Sequence, residues 1–125
     1  MKDTETTQLS DLEKSKQIVR NYLEDVWNRH DLAAVDKYVM GAEGFKQYLG
    51  EYFAGHPDSH TTIDQILAEG DKVFVLLNTI ATSRQTGKEI TIKSANVYRI
   101  VNGIIVEHWE VVEASTFPNR RISEL

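Results

Sequence analysis

The chain has 125 residues, 41% apolar and 26% charged, with no cysteine and a formal net charge of -5. That length and mix fit one ordinary globular domain, and the lack of cysteine excludes disulfides, thiolate metal sites and cysteine nucleophiles. The acidic balance argues against nucleic acid, since the nearest thing to a basic cluster is Arg120-Arg121 near the C-terminal end.

Residues 1 to 9 are polar and read as loose, and Met1 to Thr7 offer no apolar segment of the signal-peptide kind. The longest apolar run, Val73 to Leu77, is too short to span a bilayer, so a cytoplasmic protein without membrane contact is expected. Ser10 and Glu13 have the spacing of a capping box, which predicts a first helix from there to about Arg29. Val19, Tyr22, Leu23 and Val26 form its apolar stripe, with Trp27 widening it. Asp31 is placed to cap a short second helix through Leu32, Val35 and Val39. After Gly41 and Gly44 a third helix is expected, with Phe45, Tyr48, Leu49 and Tyr52 inward, ending at His56-Pro57-Asp58-Ser59.

From Thr61 the period changes and β-branched residues dominate. Strands are predicted over Thr61 to Glu69, Lys72 to Thr82, Glu89 to Ile100 and Ile104 to Val112, with an irregular tail after Glu113. Three helices followed by four hairpin-connected strands make a single α+β domain over residues 1–125, with its core at about 10–113. Strands this long curl, and a curled sheet closed by a helix leaves a concavity for a small molecule.

The last hairpin decides which side chains face that concavity. Val101-Asn102-Gly103 fits a three-residue loop, in which Asn96 faces His108 and Ser94 faces Glu110. One face then carries Ser94, Asn96, Tyr98, His108 and Glu110, and the other carries Val97, Ile105, Trp109 and Val111. The alternative, a two-residue Asn-Gly turn, would put Asn96 and His108 on opposite faces. On the first face, a histidine beside a carboxylate tends to have a raised pKa and suits proton exchange near neutral pH. The same cluster also reads as a satisfied hydrogen-bond network that binds nothing. The second face is apolar with no helix left to cover it, which suggests a protein interface.

Other residues have a plainer explanation. Tyr22 is either a donor into the pocket or a core residue, and Trp27 and Trp109 fit packing or interface roles. His56 and His60 straddle a proline without helix, a poor metal pair, so no metal ligands are assigned. Gly41 and Gly44 lack the context of a dinucleotide loop, and no serine sits in a nucleophile elbow.

Three stretches resemble the SnoaL-like branch of the nuclear-transport-factor-2-like superfamily. They are Val19 to Leu32, Gly44 to Leu49, and Tyr98 to Val111 with its Ile105-Val106-Glu107-His108-Trp109 signature. With Ala68 to Val73 they span about residues 15–113. The resemblance implies an α+β cone, three N-terminal helices packed on a curved antiparallel sheet, commonly a homodimer through the outer sheet face. It further implies acid-base side chains in the cone, as in polyketide cyclases, with no metal or organic cofactor. It also implies a longer connection between the second and third helices than Tyr38 to Gly44 provides, leaving the cone open there or covered by a partner chain.

Three functions follow as alternatives. In the first, an enzyme moves protons on a small, partly apolar carbonyl compound, with His108, Glu110 and Asn96 as catalytic candidates and Tyr22, Ser94 and Tyr98 against the substrate. In the second, the pocket binds a small apolar ligand without catalysis. In the third, the domain dimerises and its pocket is vestigial.

Overall fold

The computed structural model of the chain describes residues 4–113 and Ser123, with side chains from Asp11 onward. The expectations for Met1 to Asp3 and for the tail with Pro118, Arg120 and Arg121 lie outside the described residues. Helix α1 (Thr4–Tyr22) runs without a break into a π-helical segment, Leu23–Asn28. The helix therefore starts ahead of Ser10, and the Ser10–Glu13 pair lies inside it rather than capping it. Thr4 to Leu9 hold neither proline nor glycine, so nothing in the chain stops the helix from propagating back through them.

Asp31 caps the next element as expected, its Oδ1 accepting from the Ala34 N–H at 3.3 Å. A 3-10 turn (Leu32–Ala34) leads into the short helix α2 (Val35–Tyr38), and α3 follows as Glu43–Gly55. Leu49 and Phe53 bury the inner stripe of α3, while Tyr48, expected inward, is 56% exposed.

Four strands, β1 (His60–Glu69), β2 (Lys72–Thr82), β3 (Glu89–Val101) and β4 (Ile104–Val112), form one antiparallel sheet in chain order. Alternate residues, including Val73, Val75 and Leu77 on β2 and Asn96, Tyr98 and Ile100 on β3, face the helices and are buried. They pack against Val19, Tyr22, Leu23 and Val26, so the core lies between α1 and the sheet. A bulge at Asp64 shifts the β1 register and keeps both Ile63 and Ile66 on the inner side.

The β3–β4 turn differs from the three-residue loop. Val101 pairs with Ile104, and Asn102 and Gly103 both have positive φ, 51° and 79°. This is the two-residue, doubly left-handed turn that Asn-Gly favours because its twist matches that of the strands. Taken alone it would turn His108 outward. A second bulge undoes that, because Ile100 pairs with Ile105 while Arg99 pairs with Glu107, leaving Val106 as an extra residue. The Arg99–Glu107 ion pair, 2.5 Å, locks the shifted register just past the bulge. The expected inner face survives, but its pairs change: Asn96 lies opposite Glu110, Tyr98 opposite His108 and Ser94 opposite Val112. Ile105, assigned outward by the three-residue loop, is instead buried in the core.

The chain leaving α2 touches β4 at one point, a parallel bridge between Val39 and Ile105. Gly41, with φ 66°, then turns it into α3. Among the described residues nothing pairs with the free edge of β4 beyond Ile105, and the strand is mostly exposed from Glu107 onward.

Candidate functional site

The inner sheet face and the helices line a half-open cavity of about 380 Å³. The sheet supplies its polar wall: Ser94, Asn96 and Tyr98 from β3, and His108 and Glu110 from β4. The helical side supplies four aromatic rings, Trp27, Phe45, Tyr48 and Tyr52. Thr61 and Thr79 close one part of it, their hydroxyls hydrogen-bonded to each other at 2.8 Å.

Five of the six expected site residues therefore line one cavity. Tyr22 does not line it. It sits in the core, 2% exposed, edge-on to Tyr98 with ring centroids 5.8 Å apart, and its hydroxyl accepts from the Trp27 indole N–H at 2.9 Å. Trp27, read from sequence as a packing residue, is thus both a wall of the cavity and the link to Tyr22. The aromatic wall was visible in the sequence only as core stripes, because core rings and lining rings share the same helical spacing.

Asn96 organises the polar wall. It is 1% exposed, and its Nδ2 donates to Ser94 Oγ at 3.0 Å. Its Oδ1 therefore faces His108 Nε2, 2.7 Å away, and accepts from an Nε2–H. This fixes the neutral tautomer with Nδ1 as the basic nitrogen. The His108 ring also stacks on Tyr98, with centroids 4.4 Å apart and planes 15° apart. The imidazole is held by one hydrogen bond and one ring face, so its orientation is set before any ligand arrives.

His108 and Glu110 keep part of their surface in solvent, and their partial burial in the cavity wall, rather than a neighbouring charge, governs them. That burial pushes the His108 pKa down and the Glu110 pKa up. The expected raising of His108 by a carboxylate is not found, since His108 bonds to the neutral amide of Asn96 and has no salt bridge among the described residues. Tyr98 is pushed well up, first by burial and then by nearby Tyr22 and Glu110, so its phenol stays protonated and is a donor at neutral pH. Among the described residues no group of three His, Asp or Glu is arranged to hold a metal ion, and no helix is long and apolar enough to cross a membrane.

A family model, SnoaL-like polyketide cyclase, matches residues 17–117. The chain belongs to the SnoaL-like polyketide cyclase family. Solved structures agree on the fold. A candidate polyketide cyclase from Acidithiobacillus ferrooxidans is 25% identical, covers 81% of this chain and 89% of its own, and superposes with a TM-score of 0.72. AclR, a candidate hydroxylase from Streptomyces galilaeus, is 21% identical with a TM-score of 0.73, covering 82% and 90% of the two chains. A SnoaL-like polyketide cyclase from Agrobacterium tumefaciens is 17% identical with a TM-score of 0.73, covering 80% and 91%. No curated protein matches the sequence significantly. These likenesses show the fold, and a fold by itself does not choose a reaction for this SnoaL-like domain.

Proposed function

We propose that this SnoaL-like domain is a cofactor-independent acid-base catalyst of the cyclase or isomerase type, acting on a small, partly apolar carbonyl compound held in the cone. The observation that carries this is the His108–Asn96 hydrogen bond, which presents a neutral imidazole in one tautomer beside Glu110 in the same cavity. His108 Nδ1 takes a proton from the carbon next to the carbonyl, and the electron pair of that C–H bond moves to the carbonyl oxygen. The Tyr98 hydroxyl donates to that oxygen as charge develops. In a ring closure the carbanion attacks a second carbonyl, and the resulting alkoxide takes the proton back from the His108 imidazolium, whose charge the Glu110 carboxylate in the same cavity offsets while it lasts. In an isomerisation the proton returns at another carbon. Asn96 orients His108, Ser94 orients Asn96, and Tyr22 acts through Trp27.

Solvent hydrogen exchange tests this. Incubating a set of cyclic and linear 1,3-diketones with the protein in D₂O should speed deuterium uptake at the activated carbon, and His108→Ala should abolish the acceleration. Unaccelerated uptake across the set, with ligand binding retained, would leave a non-catalytic binding pocket as the better account. That second possibility is favoured by one feature: Glu110 has no hydrogen bond to His108 among the described residues.

Homodimerisation through the outer sheet face belongs to the same proposal. Leu67, Ile80, Trp109 and Val111 are exposed there, and the family resemblance supplies a second copy of this chain as the occupant.

A further inference from the structure

The cavity wall carries a charge pattern that a neutral carbonyl compound does not explain. Among the described residues no lysine or arginine lines it. Among the described residues Glu110 is its only acidic residue, and there that carboxylate has neither a hydrogen bond nor an ion pair. Glu110 is exposed to solvent at the edge of the cavity, so its charge is available to a cation that enters. The same cavity is lined by the rings of Trp27, Phe45, Tyr48 and Tyr52. Aromatic faces attract cations, and tryptophan does so most strongly. The net charge of -5 adds a field of the same sign.

We propose that the ligand of this cavity carries a cationic nitrogen, an ammonium or methylated amine, seated between the aromatic wall and the Glu110 carboxylate. This rests on the cavity being the functional site and narrows its ligands to carbonyl compounds that bear an amine. An anionic ligand meets one carboxylate and, among the described residues, no cation. A neutral ligand gains nothing from that carboxylate. A quaternary or protonated amine pairs with it and fills the space with methyl groups that suit an aromatic lining.

The test uses two probes of nearly equal shape, choline and its uncharged isostere 3,3-dimethylbutan-1-ol, titrated into the ¹⁵N-labelled full chain. The two tryptophan indoles provide an internal control, since Trp27 lines the cavity and Trp109 lies on the outer sheet face. Choline is expected to shift the Trp27 indole and the Asn96 side-chain amide with a Kd about tenfold below that of the alcohol, leaving Trp109 unmoved. Glu110→Gln should erase the preference, and Glu110→Asp should keep most of it. Equal affinities for the two probes, or a preference that survives Glu110→Gln, overturns the inference while leaving the cavity a ligand site. If neither probe moves Trp27, the inference fails and the cavity loses its standing as a ligand site as well.

Discussion

His108 and Asn96 are hydrogen-bonded at 2.7 Å although they are not partners in the sheet: His108 lies opposite Tyr98, and Asn96 opposite Glu110. The bond is diagonal, made possible by an imidazole that lies flat on the Tyr98 ring and reaches sideways. Diagonal contact lets one buried amide hold the histidine while the residue facing that amide, Glu110, is left unbonded.

Changing the amide to a carboxylate should therefore reverse the histidine. Asn96→Asp places a negative charge against His108 Nε2, which favours the imidazolium. In an NMR titration the native His108 should have a midpoint below 6.5, the ordinary value. The variant should titrate at least about one unit higher. A variant midpoint no higher than the native one would mean that the two side chains do not touch in solution.

Asn28 joins the helical layer to the sheet. Its Nδ2 donates to the Thr61 carbonyl at 2.9 Å and its Oδ1 accepts from the Thr61 N–H at 2.7 Å, so one amide side chain replaces a neighbouring strand at the start of β1. Asn28→Ala leaves both backbone groups without that partner and should cost about 1–3 kcal/mol in urea denaturation. It should also remove the hydrogen-exchange protection of the Thr61 amide. A fully protected Thr61 in the variant would show that the pairing carries no weight.

Element order, strand bounds and the membership of the polar face were legible in the sequence because each rests on local periodicity. The β2 and β4 bounds agree residue for residue with the alternation of Lys72 to Thr82 and Ile104 to Val112. The turn was not legible in that way, since Asn102-Gly103 serves a two-residue turn or the end of a three-residue loop equally well. The extra residue that restores the inner face, Val106, looks like any other strand valine. Parity was preserved by the bulge, so the right face followed from the wrong turn, and the misplacement of Ile105 is the trace of that error. The Asn28–Thr61 bond and the Trp27–Tyr22 bond were also invisible, because neither has a sequence spacing that distinguishes it from a surface amide or a core ring. The direction of the His108 shift was missed because it depends on burial, which spacing does not report.

Tyr22 should matter to stability through Trp27. Tyr22→Phe keeps the ring between Tyr38 and Tyr98 and removes the acceptor of the indole N–H. Trp27 is partly buried, so the unbonded N–H should cost about 1–2 kcal/mol in chemical denaturation. The indole ¹H resonance should move upfield as the bond is lost. A variant as stable as the native protein with an unmoved resonance would contradict the bond.

The outer face supplies a test of assembly. Trp109 is 46% exposed and Val111 72% exposed on a sheet face that no described helix covers. If two copies meet there, sedimentation of the native protein gives a dimer mass, and Trp109→Glu gives monomers by burying a charge in the contact. A native monomer, or a dimer indifferent to Trp109→Glu, removes the outer face as the interface.

The acid-base pair has opposite linkages to folding, and one substitution separates them. The folded pKa of His108 lies below the ordinary 6.5, so in that window the native chain binds fewer protons than the unfolded one. Stability from this group is complete above 6.5 and falls as pH drops toward the folded value. Glu110 has a folded pKa above the ordinary 4.5, so the native chain keeps its proton longer than the unfolded one. Its contribution is complete below 4.5 and is lost as pH rises through the folded pKa, which makes the ionised carboxylate a burden at neutral pH. Glu110→Gln keeps the shape and removes the charge. Its Tm should match that of the native protein near pH 4 and exceed it at pH 7–8 by about 1–3 °C, a small gain because the side chain is partly exposed. A stabilised variant that loses deuterium exchange on the diketone set would be the signature of a carboxylate kept for chemistry at the expense of the fold. A Tm difference independent of pH would show that Glu110 ionisation is not linked to folding, and a variant less stable than the native protein at neutral pH would show that something in solution already pairs with Glu110.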